Sequence, residues 1–592
     1  MKLFFILFIL LKVAFCQEKD EKTYIVVDIP SGKVKGEQIT AENGPVNVFR
    51  GIPYAEPPLD SRRFSAPIPK FGWADTFDAT SYKSACSPNV TIVPRANEEQ
   101  SEDCLYVNVY ADAKCNTTNP CPVVFYVYGG SNVYLSATRF NETDIIEKFA
   151  SHGMIFVLPA FRRGIFGFLD LGAPFDDAPY NVGVYDVITA LRFVQRELPS
   201  IGANIRKITG FGHTSGAGIL SLLLVSPAVE DTAFERIVLC SPMPTLGPHF
   251  NQPLSDQSLD RSGCAIKNSR LIPLPERLEC LREMPFKELV KASVESHFLY
   301  KRVLPQQDDY LFPASTTTVM FKKWRPIPML ITVTKEEMPL SAFTDSSLLE
   351  ACVVFCRMLG YVREATVAEC HTKYRDSAEH METMAKDAFH AVAYRLAIMN
   401  QNTGGSSFFS VFTQDSANFH AADLMYLLGL HRRSIMNNHT IENDYEDQLM
   451  NDFYPAIFRN FILGSETPLE GWRPVNEQGR NYLSTAFRTI GGENNLTVIR
   501  RPLLHVEETF NQNAIEFWLR HLAQIEAQAN LGDNQPIMPE SPEMPVLPLP
   551  RGEKDPQLSI LFWVILAIAA VLAIAVVILV MPCFSQHRDY DE

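Results

Sequence analysis

The chain has 592 residues, 46% of them hydrophobic, so it can bury a large core, and length alone suggests more than one domain. A formal net charge of −15 argues against nucleic-acid binding, which needs a basic face, and fits a soluble acidic surface. Twelve cysteines fit an oxidising compartment.

In chain order, "MKLFFILFILLKVAFCQ" reads as a secretory signal peptide over 1–16: Lys2, an apolar run, then Ala14 and Cys16 before Gln17. Residues 122–130 (PVVFYVYGG) and 154–162 (MIFVLPAFR) are short apolar runs, expected as buried strands. Residues 180–198 place Val187, Ala190, Leu191 and Val194 at helical spacing, 206–212 is a third strand, and 216–226 is a helix behind it. Strand, helix, strand, turn, helix predicts an α/β class fold: a mostly parallel sheet with helices on both faces. With no internal repeat or interior linker, one large domain is expected over 24–530. At 513–528, Ile515, Trp518, Leu519, Leu522 and Ile525 share one helical face, which suits internal packing or a dimer interface equally.

Beyond this helix, prolines 536, 539, 542, 545 and 548 recur every third residue, the polyproline II period, so 531–558 is expected to be a stalk. Residues 559–581 carry no charge and are long enough for a transmembrane helix, followed by a short cytoplasmic tail, 582–592. These features predict a single-pass type I plasma-membrane protein with an extracellular ectodomain. Cys583, just past the span, is a palmitoylation candidate or an ordinary reduced thiol. Five sequons, Asn89, Asn116, Asn141, Asn438 and Asn495, agree with export and glycosylation.

The stretch "GFGHTSGAG" (210–218) has the spacing of a nucleophile elbow, Gly-x-Ser-x-Gly, with Gly212 and Gly216 in place. The central residue is Thr214, and a serine follows one place late at Ser215. A β-branched residue stiffens χ1 at a strained turn, and its methyl is expected to crowd substrate.

Several stretches then resemble the type-B carboxylesterases and cholinesterases, which have the α/β-hydrolase fold. They are "FRGIPYAEPPLDSRRF" (49–64), "SEDCLYVNVY" (101–110), "FRRGIFGFL" (161–169) and "NVGVYDVITALRFV" (181–194), in order over about 24–530. The resemblance implies disulfides Cys86–Cys104 and Cys264–Cys280. Cys115 and Cys121 are near enough to pair, Cys240 reads as a buried free thiol, and one of Cys352, Cys356 and Cys370 is left over. It also implies a triad of Thr214 at the nucleophile position, Glu337 from "TKEEMPL" and His420 from "NFHAADLMYLLG". Met338 and Ala421 stand where the family has glycine. His213 replaces the family's glutamate. The oxyanion stretch reads "YGGSN" (128–132), so the hole corresponds to Gly130, Ser131 and Ser215, with Ser131 replacing a glycine.

With Thr214 and Ser131 at these positions the triad and oxyanion hole are expected to be vestigial, and the chain a catalytically inactive cholinesterase-like surface protein. The resemblance is to neuroligin, gliotactin and neurotactin, which implies adhesion or receptor function through a cell-surface protein partner. No cofactor or metal is expected, and no nucleic acid. The loop 86–104 lacks the aromatic residue that would bind a quaternary ammonium, Pro94 standing there instead. The alternative is a membrane-tethered carboxylesterase acting on small esters or lipids through Thr214 or Ser215. A third reading keeps the site as a non-hydrolytic pocket for a small hydrophobic ligand.

Overall fold

In the computed structural model the described residues are 22–86, 99–246, 251–267, 270–295, 303–313, 317–337, 347–376, 380–414, 419–430, 445–476, 481–491, 497–505, 508 and 510–532. The chain divides into two units, Met1–Glu540 and Ser541–Glu592; no residue of the second is among those described.

The strands are, in chain order, β1 (Thr23–Ile29), β2 (Gly32–Ala41), β3 (Gly44–Pro53), β4 (Phe77–Asp78), β5 (Tyr106–Asp112), β6 (Cys121–Val127), β7 (Ile155–Pro159), β8 (Ala203–His213) and β9 (Arg236–Cys240). There follow a small hairpin of β10 (Ile266–Lys267) and β11 (Arg270–Leu271), then β12 (Met329–Thr334), β13 (Ser407–Phe412) and β14 (Tyr482–Thr485). A second hairpin, β15 (Arg488–Gly491) with β16 (Thr497–Arg500), precedes β17 (Leu503–His505). Thirteen strands form one sheet in the order β1-β2-β3-β5-β7-β6-β8-β9-β12-β13-β14-β17, with β4 beside β2. From β7 through β14 every pairing is parallel; the pairings outside that block are antiparallel, apart from the short β2–β4 contact.

The parallel block follows from sequence. Strands β6, β7 and β9 are near-continuous apolar runs, and with β12 and β13 they are buried on both faces because helices cover each side. Helices Glu142–Lys148, Val182–Glu197 and Ser215–Leu223 supply the crossovers before β9, and His380–Asn402 and Tyr445–Leu463 those around β13. In Val182–Glu197 the four residues at helical spacing, Val187, Ala190, Leu191 and Val194, are all buried. This is the α/β-hydrolase fold, with one contiguous core rather than the several domains that length suggested.

The family-like segments are structural ties. Arg63 holds Glu102 with paired bonds of 2.7 and 2.6 Å, and its remaining nitrogen caps the carbonyls of Leu281 and Met284. Arg162 grips Asp186 in the same bidentate way at 2.8 and 2.7 Å. Arg50 bridges Glu37 and Glu142. Disulfides join Cys86–Cys104, Cys115–Cys121, Cys264–Cys280 and Cys352–Cys370, leaving Cys240 and Cys356 as buried thiols.

Of the two readings of the C-terminal stripe, the structure shows internal packing. Residues Gln512–Ile515, a π-helical turn Glu516–His521 and Leu522–Gly532 run on from one another, and Ile515, Trp518 and Leu522 are buried in the chain's own core. Trp518 Nε1 donates to the Tyr374 hydroxyl, and the Tyr361 hydroxyl donates to the Trp518 carbonyl, each at 2.9 Å. The apolar face of this stripe is packed within the chain itself.

No helix among the described residues is long and apolar enough to cross a membrane. The predicted span 559–581, the signal peptide 1–16, the tail 582–592 and the stalk beyond Gly532 lie outside the described residues, as do Asn89, Pro94, Met338, Asn438 and Asn495. Of the sequons described, Asn116 and Asn141 are exposed. Asn141 caps the helix Glu142–Lys148 through its side-chain oxygen.

Candidate active site

Five neighbouring parallel strands end on the same edge of the sheet, where open α/β sheets build their sites. The segment after β6 carries Tyr128–Asn132, β8 runs into the elbow at Thr214, and Ser241 follows β9. Glu337 lies just past β12, and the loop after β13 brings His420. An isolated parallel bridge between Glu336 and Phe419 places the acid's loop beside the histidine's.

The acid–base pair is fully built. His420 Nδ1 lies 2.5 Å from Glu337 Oε2. Glu337 Oε1 accepts from the Ser241 hydroxyl at 2.8 Å and the Thr334 backbone N–H at 2.9 Å, so the buried carboxylate is held by three donors. Among the described residues no hydrogen bond is made to His420 Nε2, which leaves that nitrogen for a reacting group. Ala421, which stands where the resemblance implies glycine, adopts φ 67°, the left-handed conformation a glycine would accept without strain.

The elbow is a sharp turn. Thr214 sits at φ 44°, ψ −114°, between β8 and the helix Ser215–Leu223. Its N–H donates to the Cys240 carbonyl at 2.8 Å, and its carbonyl accepts from Gly218 at 2.9 Å. Gly216 is an architectural requirement, because a Cβ there would lie 2.0 Å from the Val127 carbonyl oxygen. The extra methyl of threonine points toward the segment after β6. It rests over Gly129: a Cβ on that residue would fall 2.0 Å from Thr214 Cγ2. Among the described residues nothing hydrogen-bonds the Thr214 hydroxyl, and the residue keeps 7% of its surface exposed.

Ser215 has another job. Its Oγ accepts from the Asn132 backbone N–H at 3.2 Å, bracing the segment after β6 against the elbow helix. That segment is held in unusual backbone conformations, with Gly130, Ser131 and Asn132 at φ 98°, 53° and 59°. Asn132 fastens it further, through Nδ2 to the Val303 carbonyl at 2.8 Å. Among the described residues, the backbone N–H groups of Gly130, Ser131 and Ser215 make no hydrogen bond. Replacing glycine by Ser131 therefore leaves the backbone donors unspent, since its positive φ is tolerated in place.

Three groups at the site escaped sequence reasoning. Ser241, which orients the acid, is the first residue past an apolar strand and carries no motif. Asp423, three residues beyond His420, is fully buried; burial and the neighbouring Glu337 push its carboxyl up to about 7. Arg163 lies buried beneath the segment after β6. His213 was flagged only as a substitution; its ring lies 5.2 Å from that of His420, and burial, helped by His420, holds its pKa well below the usual histidine value. Among the described residues no cluster of three or more His, Cys, Asp or Glu could hold a metal ion.

A nucleophile-elbow turn, an acid–histidine pair and unspent backbone donors on one sheet edge define a hydrolase-type site. The model of the Carboxylesterase family matches residues 23–518, and the chain belongs to that family. It is similar to carboxylesterase 5A of Felis catus, 31% identical over 334 residues, which are 53% of this chain and 58% of that protein. It is also similar to human carboxylesterase 3, at 30% over 326 residues, 52% of this chain and 55% of the relative. Gut esterase 1 of Caenorhabditis briggsae is 31% identical over 270 residues, 45% of each chain. The chain thus spans roughly half the length of the curated relatives it matches.

These relatives correct the expectation of a catalytically inactive adhesion or receptor protein. They are named as carboxylesterases and an esterase. The Thr214 methyl finds room over Gly129, and Ser131 keeps the donors of its segment unspent.

Proposed function

We propose that this chain is a carboxylic ester hydrolase that uses Thr214 as its nucleophile. The observation that carries this is the buried Glu337–His420 pair, with the outer histidine nitrogen unspent, on the sheet edge where the elbow presents the Thr214 hydroxyl. The neuroligin-like subclass is set aside in favour of the activity the chain's relatives are named for.

In this reading His420 Nε2 takes the hydroxyl proton as Thr214 Oγ1 attacks the ester carbonyl. The backbone N–H groups of Gly130, Ser131 and Ser215 receive the oxyanion. Collapse of the tetrahedral intermediate breaks the bond to the alcohol, which leaves with the proton from His420. Water, deprotonated by the same nitrogen, then releases the carboxylic acid and restores Thr214. Glu337 fixes the imidazole's tautomer and stabilises its cation. Ser215 is the weaker candidate for nucleophile because its Oγ is engaged by the Asn132 N–H. The four disulfides support action outside the reducing cytosol.

The purified full-length protein is expected to hydrolyse p-nitrophenyl butyrate, and Thr214→Ser to match or exceed it. Activity that survives in Thr214→Ala, or its absence from both the natural chain and Thr214→Ser, would sink the proposal.

A further inference from the structure

Arg163 differs from three other buried arginines among the described residues. Arg50, Arg63 and Arg162 each meet a carboxylate. Arg163 is fully buried, yet among the described residues no carboxylate pairs with it. Its guanidinium lies near the rings of Tyr128 and Phe161, 4.9 and 4.8 Å from their centroids, and the Tyr128 hydroxyl beside it favours its charged form. A buried cation without a counter-charge is costly to keep. Burial lowers its pKa to about 10, so it remains charged at neutral pH.

One short hydrogen bond is informative. Nη2 donates to the Gly129 carbonyl oxygen at 2.6 Å, a charge-assisted contact. That carbonyl belongs to the same peptide unit as the N–H of Gly130. Drawing electron density onto the carbonyl oxygen makes the N–H of that unit a stronger donor, and the bond also fixes which way the unit faces. The neighbouring backbone adds to this control, since Gly164 N–H donates to the Asn132 carbonyl at 2.8 Å. One stretch after β7 thus holds both ends of the segment that carries Gly130 and Ser131.

We propose that Arg163 is a positioning residue for the oxyanion hole: through the Gly129 carbonyl it orients and polarises the Gly130 N–H, so that negative charge developing on the substrate carbonyl is stabilised. The missing carboxylate is then functional, because a neutralising partner would quench the field the oxyanion uses. This rests on the hydrolase reading for its catalytic consequence, while the contact itself is testable without turnover.

The experiment compares full-length natural protein, Arg163→Met and Arg163→Lys, each labelled with [15N]glycine. Arg163→Met removes the buried charge at similar volume and is expected to keep or raise the melting temperature. Its kcat on p-nitrophenyl butyrate should fall about 10- to 100-fold with KM little changed. Its Gly130 amide proton should move upfield as the N–H loses donor strength. Arg163→Lys, which keeps the charge, should recover part of both effects. Natural kcat in Arg163→Met, or an unmoved Gly130 resonance, overturns the inference. If the natural protein shows no turnover, the hydrolase reading fails, while the Gly130 resonance still decides whether Arg163 polarises that peptide unit.

Discussion

The two halves of the site are built on opposite principles. On the acid–base side the acid is fully engaged: Glu337 is held by Ser241, Thr334 and His420. On the elbow side little is. Thr214, Ser131 and Asn132 sit at positive φ, and His213 is buried with an unpartnered nitrogen. Rigid pairing suits a group that must keep one tautomer and one direction. Strain and unspent donors suit groups whose partner arrives only with substrate.

Breaking each half should therefore look different. Thr214→Ala and His420→Ala each remove a reacting atom, and kcat is expected to fall by about four orders of magnitude or more. Glu337→Gln spares the reacting atoms and should lose less, about three to four orders. Steady-state hydrolysis of p-nitrophenyl butyrate measures all three, and equal losses would erase the distinction.

A substitution at the seam tests how the elbow side accommodates threonine. Gly129→Ala would drive a Cβ to 2.0 Å from Thr214 Cγ2, so activity should fall at least tenfold, with a stability loss of about 1–3 kcal/mol. Adding Thr214→Ser should recover part of both, though not all, because the same Cβ also approaches the His213 carbonyl at 2.8 Å. A double-mutant cycle with no coupling would contradict the methyl pocket.

A third prediction concerns pH. Asp423 holds its proton in the folded chain up to about 7, against an ordinary value of 3.8. Between those values the unfolded chain has lost a proton that the folded one keeps, so this residue makes stability fall as pH rises. Below that window both states are protonated, and above it the penalty is constant. His213 acts oppositely: its folded pKa lies below the usual 6.5, so its contribution is lost as pH falls beneath that value. Asp423→Asn should leave the His213 slope exposed, giving a chain whose stability rises more steeply from pH 4 to 7 in denaturant titrations. The smallest effect is expected from Ala421→Gly. It relieves a left-handed alanine beside His420 and should gain up to about 1 kcal/mol, read as a small rise in melting temperature.

Much of this was legible in the sequence because it depends on local pattern. Continuous apolar runs gave β6 and β7, and helical spacing gave the helix Val182–Glu197, because burial on two faces or on one leaves different periods. The acid and histidine positions could be named because short motifs flank them. What the substitutions do was not legible. Whether a threonine methyl blocks substrate depends on Gly129, 85 residues earlier in the chain and adjacent only because β6 pairs with β8. Ser241 and Arg163 were invisible for the same reason: their partners, Glu337 and the Gly129 carbonyl, are set by strand order rather than by neighbours in sequence. The stripe at 513–528 was compatible with two outcomes until Tyr361 and Tyr374 were seen to cover it.

The claim that threonine does the serine's work is tested most directly by a fluorophosphonate probe on the intact protein, followed by peptide mass mapping. The expected result is a phosphonyl adduct on Thr214, lost in His420→Ala and retained in Thr214→Ser. An adduct on Ser215, or none on the natural chain at probe concentrations that label Thr214→Ser, would contradict it.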